Sequence, residues 1–211
     1  MESIQKFAKL INEIPVEYQS AIVKRDVWQR ISYIGKKNIE GSIFRKSQIA
    51  EISRKDIFKE PYTRIKIVKI LMWGFPNGGR SNNIESALKD IDFLEKMLYK
   101  IQDKDLPQQE AENILSQFAK IKGLGPSTWS KLLYFFNVSF ESRKCQIFDL
   151  KIVDSLNKNQ FLEFGRTNWK QNKNDYFEYI HLLDSLSQKL NVPTEKIEAF
   201  LFHYNLNYKF L

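Results

Sequence analysis

Apolar residues along this 211-residue chain recur mostly at three- and four-residue steps, the spacing of one helix face. Ile4, Phe7, Ala8 and Ile11 predict an amphipathic helix from Ser3 to Asn12. Pro15 suits the start of a second, running from Val16 to Lys36 and ending near Gly35 and Lys37. Gly41 to Ser47 reads as a connection, and Ser47 as the start of a short helix through Ile52. Thr63 to Trp73 is apolar around much of its circumference, so this helix should lie deep. Three glycines, a proline and three asparagines between Trp73 and Asn83 mark the clearest loop. Ile84, Ala87, Leu88, Ile91, Leu94, Leu98 and Ile101 then predict one long amphipathic helix. Asp103 to Pro107 turns the chain, and Asn137 to Lys144 and Phe164 to Lys173 read as polar connections. Tyr176 to Leu190 and Pro193 to His203 complete a series of elements that are helical throughout.

The pattern is most informative between Leu106 and Leu156. Ala111, Ile114, Leu115 and Phe118 share one helix face, and Trp129, Leu132, Leu133 and Phe136 another. The join is Gly123-Leu124-Gly125-Pro126-Ser127, where Ile121 and Leu124 can plug back into the core. Pro126 fits the first position of the second helix, because its missing N–H would have no intrahelical partner there. A helix N-terminus carries partial positive charge and unpaired N–H donors, which suit a phosphate. The amides of Gly125, Ser127 and Thr128, with the hydroxyls of Ser127 and Thr128, are candidates to hold one backbone phosphate. Lys120, Lys122 and Lys131 would supply the field around it. A helical hairpin with a glycine turn is also common in proteins that bind no nucleic acid, and the motif alone leaves the two readings level.

Lys122-Gly123-Leu124-Gly125-Pro126-Ser127-Thr128 and its flanking helices resemble the DNA-binding hairpin of the helix–hairpin–helix DNA glycosylase superfamily. Gln146-Ile147-Phe148-Asp149-Leu150-Lys151-Ile152 is similar to the segment that follows the hairpin there, with Asp149 twenty-two residues after Ser127. Of the branches, the 8-oxoguanine glycosylases are nearest. The resemblance is specific over Ala111 to Leu156 and general elsewhere. It implies an all-α fold, one unit over residues 1–211 of two packed helical lobes, with the site in the cleft between them. It also implies that Asp149 is the catalytic carboxylate and that the partner is double-stranded DNA carrying a damaged or modified base. Aspartate is in addition a favoured helix N-cap, and the two roles are compatible, since capped amides orient the carboxylate.

Two departures from the superfamily pattern change what is expected. Many members carry, two positions after the second hairpin glycine, a lysine that attacks the sugar and then cuts the strand. Ser127 stands there, so base release without lysine-dependent strand cleavage is expected, with imine formation by Lys151 beside the aspartate as the disfavoured alternative. Members with an iron–sulfur cluster use four cysteines, and the single Cys145 excludes that cluster. No cofactor is expected beyond room for a monovalent cation at the hairpin.

Composition narrows the setting. Hydrophobic residues at 43% and aromatics at 14% give enough apolar surface for a folded core. A net charge of +8 favours an anionic partner without separating nucleic acid from a membrane surface. From Lys36 to Arg80, eleven basic residues face four acids and are interleaved with Phe44, Phe58, Tyr62, Trp73 and Phe75. That mixture suits phosphate neutralisation with base stacking, while a solvated face over an ordinary core is the more frequent source of such mixing. In the loop, Asn77 and Arg80 are candidates to enter the duplex or contact the orphaned base, and Trp73 and Phe75 to line a base pocket. The bland alternative is a connection with a buried aromatic. One cysteine, no signal peptide and no apolar run of about eighteen residues predict a cytoplasmic protein with no membrane span, and a monomer is expected. His181 and His203 lack partners at ligand spacing, so no metal is expected. The opposing hypothesis is a non-enzymatic helix–hairpin–helix module that only holds duplex backbones; an RNA-binding protein is a third, weaker reading.

Overall fold

The computed structural model describes residues 3–31, 39–79, 83–158 and 161–207. The predominantly helical reading holds, with a correction: two small sheets interrupt it. The first sheet pairs β1 (Ser20–Lys24) antiparallel with β2 (Ile49–Ser53), in a register running from Ser20 opposite Ser53 to Lys24 opposite Ile49. Both strands replace helices expected over Val16–Lys36 and Ser47–Ile52. Their β-branched residues fit a pleated surface, with Val23 and Ile52 facing inward and Ile22 and Ile49 outward. Among the described residues, the span expected to be one helix holds a 3-10 turn over Val16–Tyr18 and α2 (Arg25–Gln29), and its expected end at 35–37 lies outside the described residues. The expected connection is largely a helix, α3 (Ile39–Phe44), while α1 (Ala8–Glu13) forms as expected after a 3-10 turn over Ile4–Phe7.

Ser53 ends β2 and caps α4 (Arg54–Phe58): its hydroxyl accepts from the Asp56 amide while the Asp56 carboxylate accepts from the Ser53 amide. This capping box explains why the chain turns helical at once. The deep helix, α5 (Thr63–Gly74), buries Ile67, Val68, Ile70, Leu71 and Met72. The long helix expected from Ile84 to Ile101 is divided at Asp90 into α6 (Asn83–Lys89) and α7 (Ile91–Ile101).

The motif helices are α8 (Gln108–Phe118) and α9 (Pro126–Phe135), and their far ends are tied by the second sheet. There β3 (Asp105–Leu106) runs parallel to β4 (Ser139–Phe140), which pairs antiparallel with β5 (Arg143–Lys144). Asp105 fixes the turn between β4 and β5 by accepting from the Ser142 amide at 2.8 Å and its hydroxyl at 3.0 Å. Three α-helices follow among the described residues, α10 (Leu150–Asn157), α11 (Lys173–Leu190) and α12 (Thr194–Asn207), with α12 packed on both others. Phe7 reaches across to Phe200 and Tyr204, so the start of the chain closes over its last helix. No helix among the described residues is long and apolar enough to cross a membrane.

One buried ion pair joins the N-terminal sheet region to α12. Arg54 and Glu198 meet at 2.8 Å with both side chains 1% exposed. Gln19 Oε1 accepts from Arg54 Nε at 2.8 Å, and the guanidinium lies over the rings of Trp73 and Tyr134. Burial pushes the Glu198 pKa up, against the opposing pull of Arg54. Replacing one member strands the other charge in the core. Glu198→Ala should therefore lower unfolding free energy by roughly 3–5 kcal/mol, read by chemical denaturation.

Candidate active site

The hairpin turns as its sequence dictates, but its two glycines do different work. Gly123 has φ +87°, and a Cβ there would sit 2.0 Å from the carbonyl oxygen of Asn83. Its missing side chain lets the hairpin backbone press against the first residue of α6. Gly125 is extended, with φ −77° and ψ 175°, and nothing lies within 4 Å of the position a Cβ would take. The space above Gly125 is therefore open to a ligand. Pro126 occupies the first position of α9 as expected. The Thr128 amide is spent internally, donating to the Gly125 carbonyl at 2.8 Å. This corrects the three-amide phosphate seat: Gly125 and Ser127 remain as donors without a partner among the described residues, with Lys122 exposed beside them.

Asp149 is presented by a segment with almost no freedom. Gln146, Ile147 and Phe148 are buried in the core outside any helix or strand, so their backbone groups must find partners there. Tyr176 donates to the Gln146 carbonyl at 3.1 Å and Tyr179 to that of Ile147 at 3.0 Å. Gln171 donates to the Phe148 carbonyl at 2.9 Å, while the Phe148 amide donates to Ser130 Oγ at 3.0 Å. Burial pushes the pKa of both phenols well up, which keeps them as donors. Asp149 then caps α10: one oxygen, Oδ1, accepts from the amides of Lys151 at 2.9 Å and Ile152 at 3.3 Å. The other, Oδ2, is left facing Lys131.

A cleft of about 530 Å³ opens at this point, between the loop after α5 and α6 on one side and the hairpin and the start of α10 on the other. Volumes of this order suit a small organic group. Phe75, Asn77, Ser127, Thr128, Lys131 and Asp149 all line it, so the structure gathers residues drawn from three separate stretches of sequence. The loop wall is anchored from behind, where Trp28 Nε1 donates to the Pro76 carbonyl at 3.3 Å. Trp73 is not part of the cleft: its indole donates to the Gln19 carbonyl and its ring meets Phe135 edge-on. It faces the opposite side of α5 from the one a base-pocket role requires. Arg80 lies outside the described residues.

Lys131 departs most from its expected place. Instead of surrounding a phosphate on the surface, it is buried, with its side chain 4% exposed. Its Nζ donates to the Ser127 carbonyl at 2.9 Å and to Ser127 Oγ at 2.8 Å, and lies 3.8 Å from Asp149 Oδ2. The stem passes through space left by Gly74, where a Cβ would come within 2.9 Å of Lys131 Cδ. Desolvation lowers the Lys131 pKa; Asp149 and Glu198 oppose the shift, and Arg54 and Lys151 add to it. The signal was in the sequence, since Ser127 and Lys131 are one helical turn apart. Ser130, Gln171 and Tyr179 carried no such signal, because their partners are backbone groups far along the chain. The lone Cys145 is buried and its thiol pKa is pushed up by desolvation, which makes it a poor nucleophile. Among the described residues no group of three His, Cys, Asp or Glu side chains gathers to hold a metal.

The family model described as "Putative 8-oxoguanine DNA glycosylase OGG-like protein" matches residues 15–202 of the chain. Neither a curated protein nor a solved structure matches it.

The two hairpin glycines should separate by measurement. Gly123→Ala should cost at least about 2 kcal/mol of stability, through its positive φ and the Asn83 backbone. Gly125→Ala should stay within about 1 kcal/mol of the parent while weakening duplex binding, read by denaturation and by titration with duplex DNA.

Proposed function

The chain belongs to the OGG-like 8-oxoguanine DNA glycosylase family, and from that premise we propose that it excises a modified base from duplex DNA through Asp149. The observation that carries this reading is the shared cleft, which puts an oriented carboxylate beside a helix N-terminus with open amides. A base inside the stack is out of reach, so it must rotate out of the duplex into the cleft. The Gly125 and Ser127 amides, with Lys122 nearby, would hold a backbone phosphate close to the flipped nucleotide. Phe75 offers a π-face for the base, and Asn77 stands at the exposed rim, where the vacated duplex would lie.

Departure of the base leaves positive charge on the deoxyribose ring. A preorganised carboxylate in a partly dehydrated site stabilises that charge without having to reorganise. Asp149 meets the requirement because Oδ1 is fixed by two amides and Oδ2 faces Lys131, another residue of the cleft lining. Oδ2 can also orient a water for attack on C1′ and accept its proton. Ser127, at the position where many superfamily members have an attacking lysine, has no amine to offer.

Duplexes carrying single 8-oxoguanine, alkylated or modified-cytosine residues should reveal the substrate by base release, scored after alkali. Asp149→Asn should slow release roughly a hundredfold or more while duplex affinity stays within a few-fold. Tight duplex binding without release from any of these substrates would instead leave a DNA-binding module.

A further inference from the structure

We propose that Lys131 supplies the amine that attacks the sugar, so that this enzyme covalently captures the deoxyribose and cuts the strand. The inference rests on the excision reading above and replaces water by an amine as the first nucleophile. It reverses the expectation drawn from Ser127, because the geometry delivers an amine to the Ser127 position from one turn further along α9.

Four residues of α-helix rise about 6 Å, and helical side chains lean toward the N-terminus. A lysine stem is about that long, so Lys131 reaches back and sets its Nζ beside Ser127. Gly74 provides the passage for the stem, and the Phe75 ring lies 5.6 Å from Nζ at the cleft wall. A cation so buried is costly unless well paired, and the 3.8 Å separation from Asp149 is longer than a hydrogen bond. The neutral amine fits better. Its two hydrogens are used by the carbonyl and hydroxyl of Ser127, and its lone pair remains for an electrophile. Desolvation favours that neutral form. Ser127 thus becomes a positioning residue for the nucleophile. Lys151, the other lysine beside the aspartate, is exposed and places its Nζ 4.5 Å from the Phe202 ring.

The reaction balances with the DNA and water alone. The Nζ lone pair bonds to C1′ as the bond from C1′ to the base breaks, and the base leaves with that electron pair and takes up a proton. Nitrogen then loses a proton, the C1′–O4′ bond opens with O4′ protonated, and an iminium forms between C1′ and Nζ. The iminium acidifies C2′; loss of a C2′ proton expels the 3′ phosphate and cuts the strand. Water finally hydrolyses the imine and restores the amine. At an existing abasic site the same iminium forms from the free aldehyde and Nζ with loss of water.

The test therefore does not need the excised base to be known. The full chain is incubated with a duplex carrying one abasic deoxyribose, with and without borohydride, which reduces the imine to a stable amine. Strand cleavage without alkali and a trapped adduct whose modified peptide carries the sugar on Lys131 are expected. Lys131→Met, which keeps the apolar stem, should reduce trapping roughly a hundredfold or more, and Lys131→Arg, which keeps the charge, should fail equally. Peptide mapping on the unmodified chain gives the answer even if a variant does not fold. An adduct on Lys151, Lys122 or the N-terminal amine, or no adduct on a duplex that is bound, overturns the proposal. Base release without an adduct would sink the lysine and leave the excision reading standing. An adduct on Lys131 without release of any base would do the reverse.

Discussion

The site depends on one requirement: the backbone from Gln146 to Phe148 is buried outside any helix or strand, so its polar groups need partners from elsewhere in the chain. Two tyrosines and a glutamine from α11 and the loop before it pair its three carbonyls, and a serine from α9 pairs the Phe148 amide. Because an unpaired buried carbonyl costs about 1–3 kcal/mol, the segment has little room to shift. Asp149 inherits this rigidity and adds its own cap on α10. The carboxylate is therefore aimed before any DNA arrives, which is what electrostatic stabilisation of a short-lived cation needs.

The same helix that holds the segment through Ser130 carries Ser127 and Lys131 into the cleft on an adjacent face. The far ends of the two hairpin helices are tied by the strand pairs of β3, β4 and β5. Their near end is pressed onto α6 through Gly123. The hairpin is thus fixed at both ends, and its open amides hold a set distance from the aspartate. On the far side of α5, Arg54 and Glu198 lock the N-terminal sheet to α12, with Trp73 drawn into that contact and away from the cleft.

Much of the fold was legible wherever one face of a helix had to be apolar over several turns. Thr63 to Trp73, both motif helices, Asp149 as a cap and the last two helices all fall where their spacing puts them. The failures share a cause. Ser20–Lys24 and Ile49–Ser53 are five-residue strands whose apolar residues also fit a helical step, and only their pairing across the intervening chain decides between the two. The break at Asp90 is of the same kind, since the apolar period continues through it while the backbone does not.

The sequence by itself determined the hairpin, its proline start and the aspartate that follows, because each is a local preference of backbone and side chain. It also carried the resemblance that the family match later supported. Tertiary structure alone decided which face of α5 meets the cleft, and hence that Phe75 lines it and Trp73 does not. It alone decided that Gly123 serves packing and Gly125 leaves open space. It alone moved Lys131 from the surface into the interior, with its Nζ 3.8 Å from Asp149. Burial depends on what packs over a residue, and for Lys131 that cover comes from Gly74 and Phe75, more than fifty residues earlier in the chain.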